Sequence, residues 1–496
     1  MVFAHGVGGA KDLPIPAELA IAGAVAALAV SFIVLALAWR TPRFDASTGG
    51  RALPPWFTRA ADSTALEVVL RVLAMAFFLY VGWAAVAGPD LLINPTFGVL
   101  YVIVWVGLVP ASLLLGAFYR AVNPARTMHL VLSRLTGGDP EQGLVALPRW
   151  VGMWPASLGL FAFVWLELVH PGSTYLSSVR MFVAVYVAVV VMGGAIFGSR
   201  WIAQSDPFEA YSTLVGRLSV FGRRGDGTLV LRSPLANLDG TPARPGLVAV
   251  VAVLLGSTAF DSFKDSSFWL QLTQSSALST SLGTTLLNTG ALLMFCGVVA
   301  LTFAGATMLT GVAAGTDRLG LPDRFAHSVV PIVVGYIVAH YLSYFVEVGQ
   351  QTLVLLSDPL GRGQDLLGTA DWQVDYWLSE HPGFLAVTKV VAVVTGHVLG
   401  VVAAHDCAVR LLPKRHQLTG QLPLLVVMVG YTVGGLYLLF GGRARHRPRR
   451  RTRGVVIPST ESTIAPIPRR RGESPSSTRL RPELSARSTL ARSSGR

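Results

Sequence analysis

The chain is poor in charge and in cysteine, and both shortages narrow what it can be. Asp, Glu, Lys and Arg make up 14% of its 496 residues, where soluble domains carry about a quarter. With 52% hydrophobic residues and a positive mean hydropathy, this balance points to a membrane protein. The two cysteines, Cys296 and Cys407, both fall in apolar stretches, so neither a disulfide nor a Cys-rich metal site is expected. Sequence motifs of nucleotide-driven and soluble hydrolytic enzymes are missing too. There is no G-x-x-x-x-G-K-[ST], G-x-S-x-G, H-E-x-x-H or C-x-x-C, which removes support for a P-loop ATPase, a nucleophile-elbow hydrolase and a zincin. Residues 1–14 carry no basic n-region of a signal peptide.

Basic charge is plentiful, but most of it sits in one place. From Arg443 to Arg496 there are 15 Arg against Glu461, Glu473 and Glu483, a net of +12 out of the chain's +13. The remainder is nearly neutral, so the charge says little about the apolar body, and no nucleic-acid partner is expected. Rich in Arg, Ser and Pro, 443–496 reads as a disordered tail.

Hydropathy places ten spans, at roughly 15–39, 65–88, 97–119, 150–170, 179–198, 246–262, 283–312, 328–349, 385–410 and 421–441. The expected fold class is all-α, a polytopic membrane helical bundle in a bacterial inner membrane. Its domain body is 15–442, after a short external segment 1–14. The connections 40–64, 120–149, 199–245, 313–326 and 411–420 hold Arg40, Arg43, Arg51, Arg120, Arg126, Arg134, Arg200, Arg223, Arg224, Arg318, Lys414 and Arg415. The connection 350–384 instead holds Asp358, Asp365, Asp371, Asp375 and Glu380. The positive-inside rule then puts the basic loops in the cytoplasm and the N-terminus outside. Ten spans would also leave the basic tail outside, against that rule.

Two of the basic loops share a pattern. Asn123-Pro124 and Asp206-Pro207 each open an amphipathic stretch that ends, at the same spacing, in Arg134-Leu135 and Arg217-Leu218. Asn or Asp at the N-cap followed by Pro is a helix start, and the pattern predicts two short helices on the inner membrane surface. Internal duplication and two similar capping solutions account for it equally well.

Ionisable residues inside spans are costly and mark functional candidates. On the eighth span Tyr336, His340, Ser343 and Glu347 share one helical face. On the ninth, Gly396, Gly400 and Ala404 form a small-residue row suited to close helix approach, with His397 beside it. His340 and His397 fall at similar depth, and Glu347 and Lys389 are placed to pair above them. Glu167 and His170 stand three apart at the end of the fourth span, and Asp261 emerges on the same side from the sixth. Carboxylates with imidazoles suit Zn, Mn or Fe, and His5 and His381 lie on that side as well. The bland alternative is an ordinary polar boundary, with each buried His a helix-packing residue.

The stretches AHGVGGAKDLPIP, FVWLELVHP, SDPFEAYSTLVGRLSVFGRRGDGTLVLRSPL, GSTAFDSF and HSVVPIVVGYIVAHYLSYFVEVGQ resemble polytopic bacterial membrane proteins labelled fenitrothion hydrolase. The likeness runs to about Gly442. It implies a shared fold and hydrolysis of an organophosphorus triester, and it assigns no catalytic residue.

Three functions follow as expectations. In a metal-assisted hydrolase, Glu167, His170, Asp261, His340 and Glu347 hold Zn or Mn or act as general base, and His397 moves protons. In a transporter or permease, the His and Glu groups form a proton or substrate site. In a haem b protein, His340 and His397 are the axial ligands. The bilayer and an apolar small molecule are the expected partners.

Overall fold

The computed structural model describes residues 9–47, 49–275, 280–310, 312, 317–417 and 419–440. His5 and the tail 443–496 lie outside them. The described residues hold nine helices long and apolar enough to cross a membrane, and a bent pair that brings the spans to ten. They are α1 (Ala17–Ala38), α2 (Thr64–Ala87), the pair α3 (Pro95–Val104) and α4 (Leu108–Leu115), α7 (Arg149–Leu168), α8 (Leu176–Phe197), α11 (Leu247–Lys264), α12 (Ser281–Met308), α13 (Leu321–Leu355), α14 (Pro382–Leu411) and α15 (Thr419–Phe440). Each matches an expected span, the body being an all-α membrane bundle. Among the short helices between the spans are α5 (Tyr119–Val122), α6 (Pro124–Leu135), α9 (Ser199–Ser205) and α10 (Pro207–Gly216).

Local chemistry sets several boundaries. Ser63 caps α2 by accepting from the Leu66 amide, and Thr280 caps α12 by accepting from the Gly283 amide. Pro95 and Pro382 occupy first-turn positions, where the missing N–H costs nothing. The third span bends by 43° between α3 and α4, directly after a π-helical turn at Val99–Val104. A second π-helical turn, Tyr344–Val348 in α13, packs against the first. Wide turns of this kind frequently accompany functional sites in helices.

The core of the bundle is the α13–α14 pair, backed by α11 and α12. The small-residue row on α14 works as expected. A Cβ on Gly396 would lie 2.5 Å from the Pro331 carbonyl oxygen, and one on Gly400 would lie 2.8 Å from that of Ser328. Both clashes are with backbone, which cannot swing aside. A Gly396→Leu change therefore forces the helices apart. Thermal unfolding in detergent should show a loss of at least about 2 kcal/mol, within the range for overpacking a filled site; an unchanged midpoint would refute this packing.

The Arg-bearing connections collect at one end. Strand β1 (Arg51–Ala52) pairs antiparallel with β3 (Leu229–Leu231), which pairs in turn with β2 (Phe221–Arg223). This ties the loop after α1 to the loop before α11. Arg410 adds the end of α14 through Asp239 Oδ2 at 2.9 Å and the Phe44 carbonyl at 2.9 Å. This is the basic end of the bundle.

Candidate functional site

Four short helices change the reading of the basic loops. After Gly198, whose φ of +73° reverses the chain, α9 turns back along α8. Trp201 Nε1 donates to the Val189 carbonyl at 3.3 Å, and Tyr186 Oη donates to Asp206 Oδ2 at 2.7 Å. Asp206 thus lies beside a residue 11 positions before the end of α8 (197 − 186), about 16 Å up that helix. From that tip α10 descends beside α4. Ser212 and Ser112 hydroxyls meet at 2.9 Å, and Gly216 abuts Ala117.

The expected surface helix at 207–216 is corrected by this geometry. Nine of its ten residues are buried, because its polar side meets another protein helix rather than water. The α5–α6 hairpin does the same more shallowly, with Ala125, Arg126 and His129 buried and the rest of α6 half-buried or exposed.

The two tips meet. Asn123 Nδ2 donates to Asp206 Oδ2 at 2.9 Å and to Glu209 Oε2 at 3.0 Å. Arg126 grips Glu209 with two bonds, Nη2 to Oε1 at 2.6 Å and Nε to Oε2 at 3.0 Å. Each cap also serves its own helix: Asn123 accepts from the Arg126 amide, and Asp206 from those of Phe208 and Glu209. Capping residue and third helical residue pair across the junction at one sequence offset, 83 in both cases. The left-handed glycines before the hairpins, Gly116 and Gly198, stand 82 apart (198 − 116). Three spans precede the first hairpin, and two more lie between it and the second. The two X-Pro starts thus face one another at matched positions, an arrangement compatible with both accounts of the shared pattern.

A second polar cluster lies toward the other end of α11. Asp261, 4% exposed, accepts from His340 Nε2 at 2.8 Å and Tyr341 Oη at 2.7 Å on Oδ2. Its Oδ1 pairs with Lys264 Nζ at 2.9 Å. Ser262 Oγ lies 3.1 Å from His340 Nδ1, so both ring nitrogens of His340 are engaged. Glu167 is within electrostatic reach of Asp261 and Lys264, and its Oε2 is enclosed with no hydrogen-bond partner. Trp105, in the break between α3 and α4, lies close to Tyr341 and packs on Tyr211 of α10 with ring centroids 5.1 Å apart. One aromatic layer thus connects the half-helix junction to the Asp261 cluster.

The expected site residues divide. Asp261 and His340 meet directly, with Glu167 beside them. His170 instead faces Ser178 Oγ at 3.1 Å and packs on Trp165. Glu347 is bound by Ser379, accepting from its amide at 3.0 Å and its hydroxyl at 2.9 Å. His397 is fully buried, its Nδ1 2.9 Å from the Val393 carbonyl of its own helix and its Nε2 without a partner. Among the described residues no three His, Cys, Asp or Glu side chains converge as a metal site. A haem iron would need a His340 nitrogen already committed to Asp261 or Ser262.

Sequence reasoning passed over Lys264, Ser262, Tyr341, Arg126 and Glu209. The last two carried a legible signal: opposite charges at equal positions after the two X-Pro starts. Comparison with protein-family models, with curated proteins and with solved structures returns no match to this chain.

Proposed function

We propose that the chain is a proton-coupled membrane carrier, with its N-terminus outside and its basic end in the cytoplasm of a bacterial inner membrane. The observation that carries this reading is the junction of two discontinuous half-helices, tip to tip, inside the bundle. Carriers place their sites at such junctions, because helix ends inside a bundle offer polar groups that a continuous helix keeps to itself. The Asp261 cluster supplies the proton site. With His340 neutral, Glu167 and Asp261 contribute two negative charges and Lys264 one positive, leaving one negative charge uncompensated. Burial penalises an unpaired charge severely, so a proton on Glu167, whose Oε2 has no hydrogen-bond partner, neutralises the cluster. Loading and release of that proton would change the pairing of Asp261 with Tyr341 and, through Trp105 and Tyr211, bear on the half-helices.

The test uses purified protein in liposomes loaded with a pH-sensitive dye, under a potassium diffusion potential. Proton entry should exceed that of a Glu167→Gln variant by roughly 10²-fold, the size of effect expected on losing a proton-transfer group. Equal rates in wild type, variant and empty liposomes would overturn the proposal.

One geometric feature favours a second reading, hydrolysis. Ser262, His340 and Asp261 form a hydrogen-bonded chain in the order nucleophile, base, orienting carboxylate. In that chemistry Ser262 Oγ would attack the phosphorus or carbonyl centre of an ester and pass its proton to His340. The leaving alkoxide would depart with that proton, and water would then cleave the ester formed on the serine. A fluorophosphonate probe should label Ser262, located by peptide mass spectrometry, and Ser262→Ala should remove the label. An unlabelled Ser262 rules this reading out.

A further inference from the structure

The basic end contains a cavity of about 580 Å³ between α2, the α5–α6 hairpin and the loop that follows it. Its apolar lining comes from Leu66, Leu70 and Leu130, and α2 continues this surface outward through the exposed Val69 and Leu73. The charged lining sorts itself by pairing. Arg71 binds Glu67 at 2.6 Å, Arg223 binds Asp62 at 2.5 Å, and Arg126 is committed to Glu209 at 2.6 Å. The Arg223 guanidinium holds the Asp62 carboxyl below its usual range. Two groups of opposite sign are left. Among the described residues Arg120 has no ion-pair partner, and Glu141 has only the Ser199 hydroxyl, donating to Oε1 at 2.7 Å. They line the same cavity without meeting, although a direct pair would be the simplest way to satisfy both.

We propose that this cavity binds a phosphoethanolamine group, its phosphate on Arg120 and its primary ammonium on Glu141. A zwitterion bridges two separated charges that a simple anion or cation would leave half satisfied. Guanidinium is suited to phosphate by its fork of donors, and a carboxylate accepts hydrogen bonds from a primary ammonium but not from a quaternary one. The apolar lining, continuous with the outer face of α2, accommodates an acyl chain, and basic pockets between spans are established headgroup sites. The inference does not rest on the carrier reading: Arg126 of the junction lines the cavity, but Arg120 and Glu141, which would hold the ligand, belong to neither of that reading's clusters.

Native mass spectrometry of the full chain in detergent reads this directly, with phosphatidylethanolamine, phosphatidylglycerol and phosphatidylcholine added in equal amounts. Phosphatidylethanolamine should be retained about tenfold over both others, the equivalent of one charge-assisted hydrogen bond. Arg120→Gln should abolish retention of all three. Glu141→Gln should remove only the preference, leaving phosphatidylethanolamine and phosphatidylglycerol alike. Displacement of the lipid by soluble O-phosphoethanolamine would support the same chemistry and assign it to a soluble ligand as well. Equal retention of the three lipids by wild type, or an undiminished preference in Glu141→Gln, would overturn the proposal. Both residues lie at the cavity wall and outside the core, and unchanged thermal midpoints for the variants are the control for folding.

Discussion

Asp261→Asn should abolish proton flux in liposomes and unfold the protein at markedly lower temperature. The carboxylate accepts three donors, from His340, Tyr341 and Lys264, at 2.7–2.9 Å. An amide of the same shape offers one acceptor oxygen, and its NH2 group must face a donor that the carboxylate had satisfied. Lys264, 28% exposed, loses the carboxylate that contacts it at 2.9 Å while still largely enclosed. Removing one member of a buried charge pair costs about 3–5 kcal/mol, chiefly through the charge left behind. The partner change Lys264→Met in the Asp261→Asn background should therefore recover much of the stability and none of the flux. Thermal unfolding in detergent and the liposome assay separate these effects. A single variant as stable as wild type would mean that the cluster is hydrated and not a buried pair at all.

The large-scale fold was legible because its causes are local. Twenty apolar residues in a row have one inexpensive solution in lipid, and each expected span is present with its ends shifted by a few residues. Gly396 and Gly400 read correctly for a similar reason: absence of a side chain at four-residue spacing has meaning only where another helix passes close by. The site was partly legible. Asp261 and His340 could be singled out as ionisable groups in apolar surroundings, but sequence spacing does not reveal which neighbour satisfies them. Glu347 shows the difficulty. The expected common face with His340 is not carried through the π-helical turn: His340 meets Asp261, whereas Glu347 meets Ser379, from the connection after the span, folded back on the bundle in a way no periodicity encodes. Lys264 was missed for a simpler reason. The expected sixth span stopped at 262, whereas α11 continues to Lys264 and so delivers the counter-charge to Asp261 from the same helix.

The half-helices were misplaced because amphipathicity records only that one side is polar. It does not say whether water or protein meets that side. In α10 the polar groups Asp206 and Glu209 face Asn123 and Arg126, so a helix with a surface pattern becomes an interior one. The pairing of the two hairpins accounts for this without an unpaired charge in the core. Two hairpins of similar pattern, placed side by side, satisfy each other when their third helical positions carry opposite charges.

That account makes a sharp prediction for Arg126 and Glu209, whose side chains are 7% and 3% exposed. Arg126→Met leaves Glu209 buried without its cation and should cost about 3–5 kcal/mol in thermal or denaturant unfolding. Replacing both by Met should return most of that loss, since neither charge then remains to be compensated. The exchange Arg126→Glu with Glu209→Arg is the stricter test. Both residues occupy the third position of their helices, so the exchange conserves the sum of their interactions with the two helix termini. Asn123 can turn its amide, presenting oxygen in place of nitrogen to the new arginine. The exchanged protein should therefore be within about 1.5 kcal/mol of wild type, while either single reversal leaves two like charges facing one another and fails to fold stably. If the exchange is as damaging as the single reversals, the two hairpins are not interchangeable, and their junction loses its standing as the place where the carrier moves.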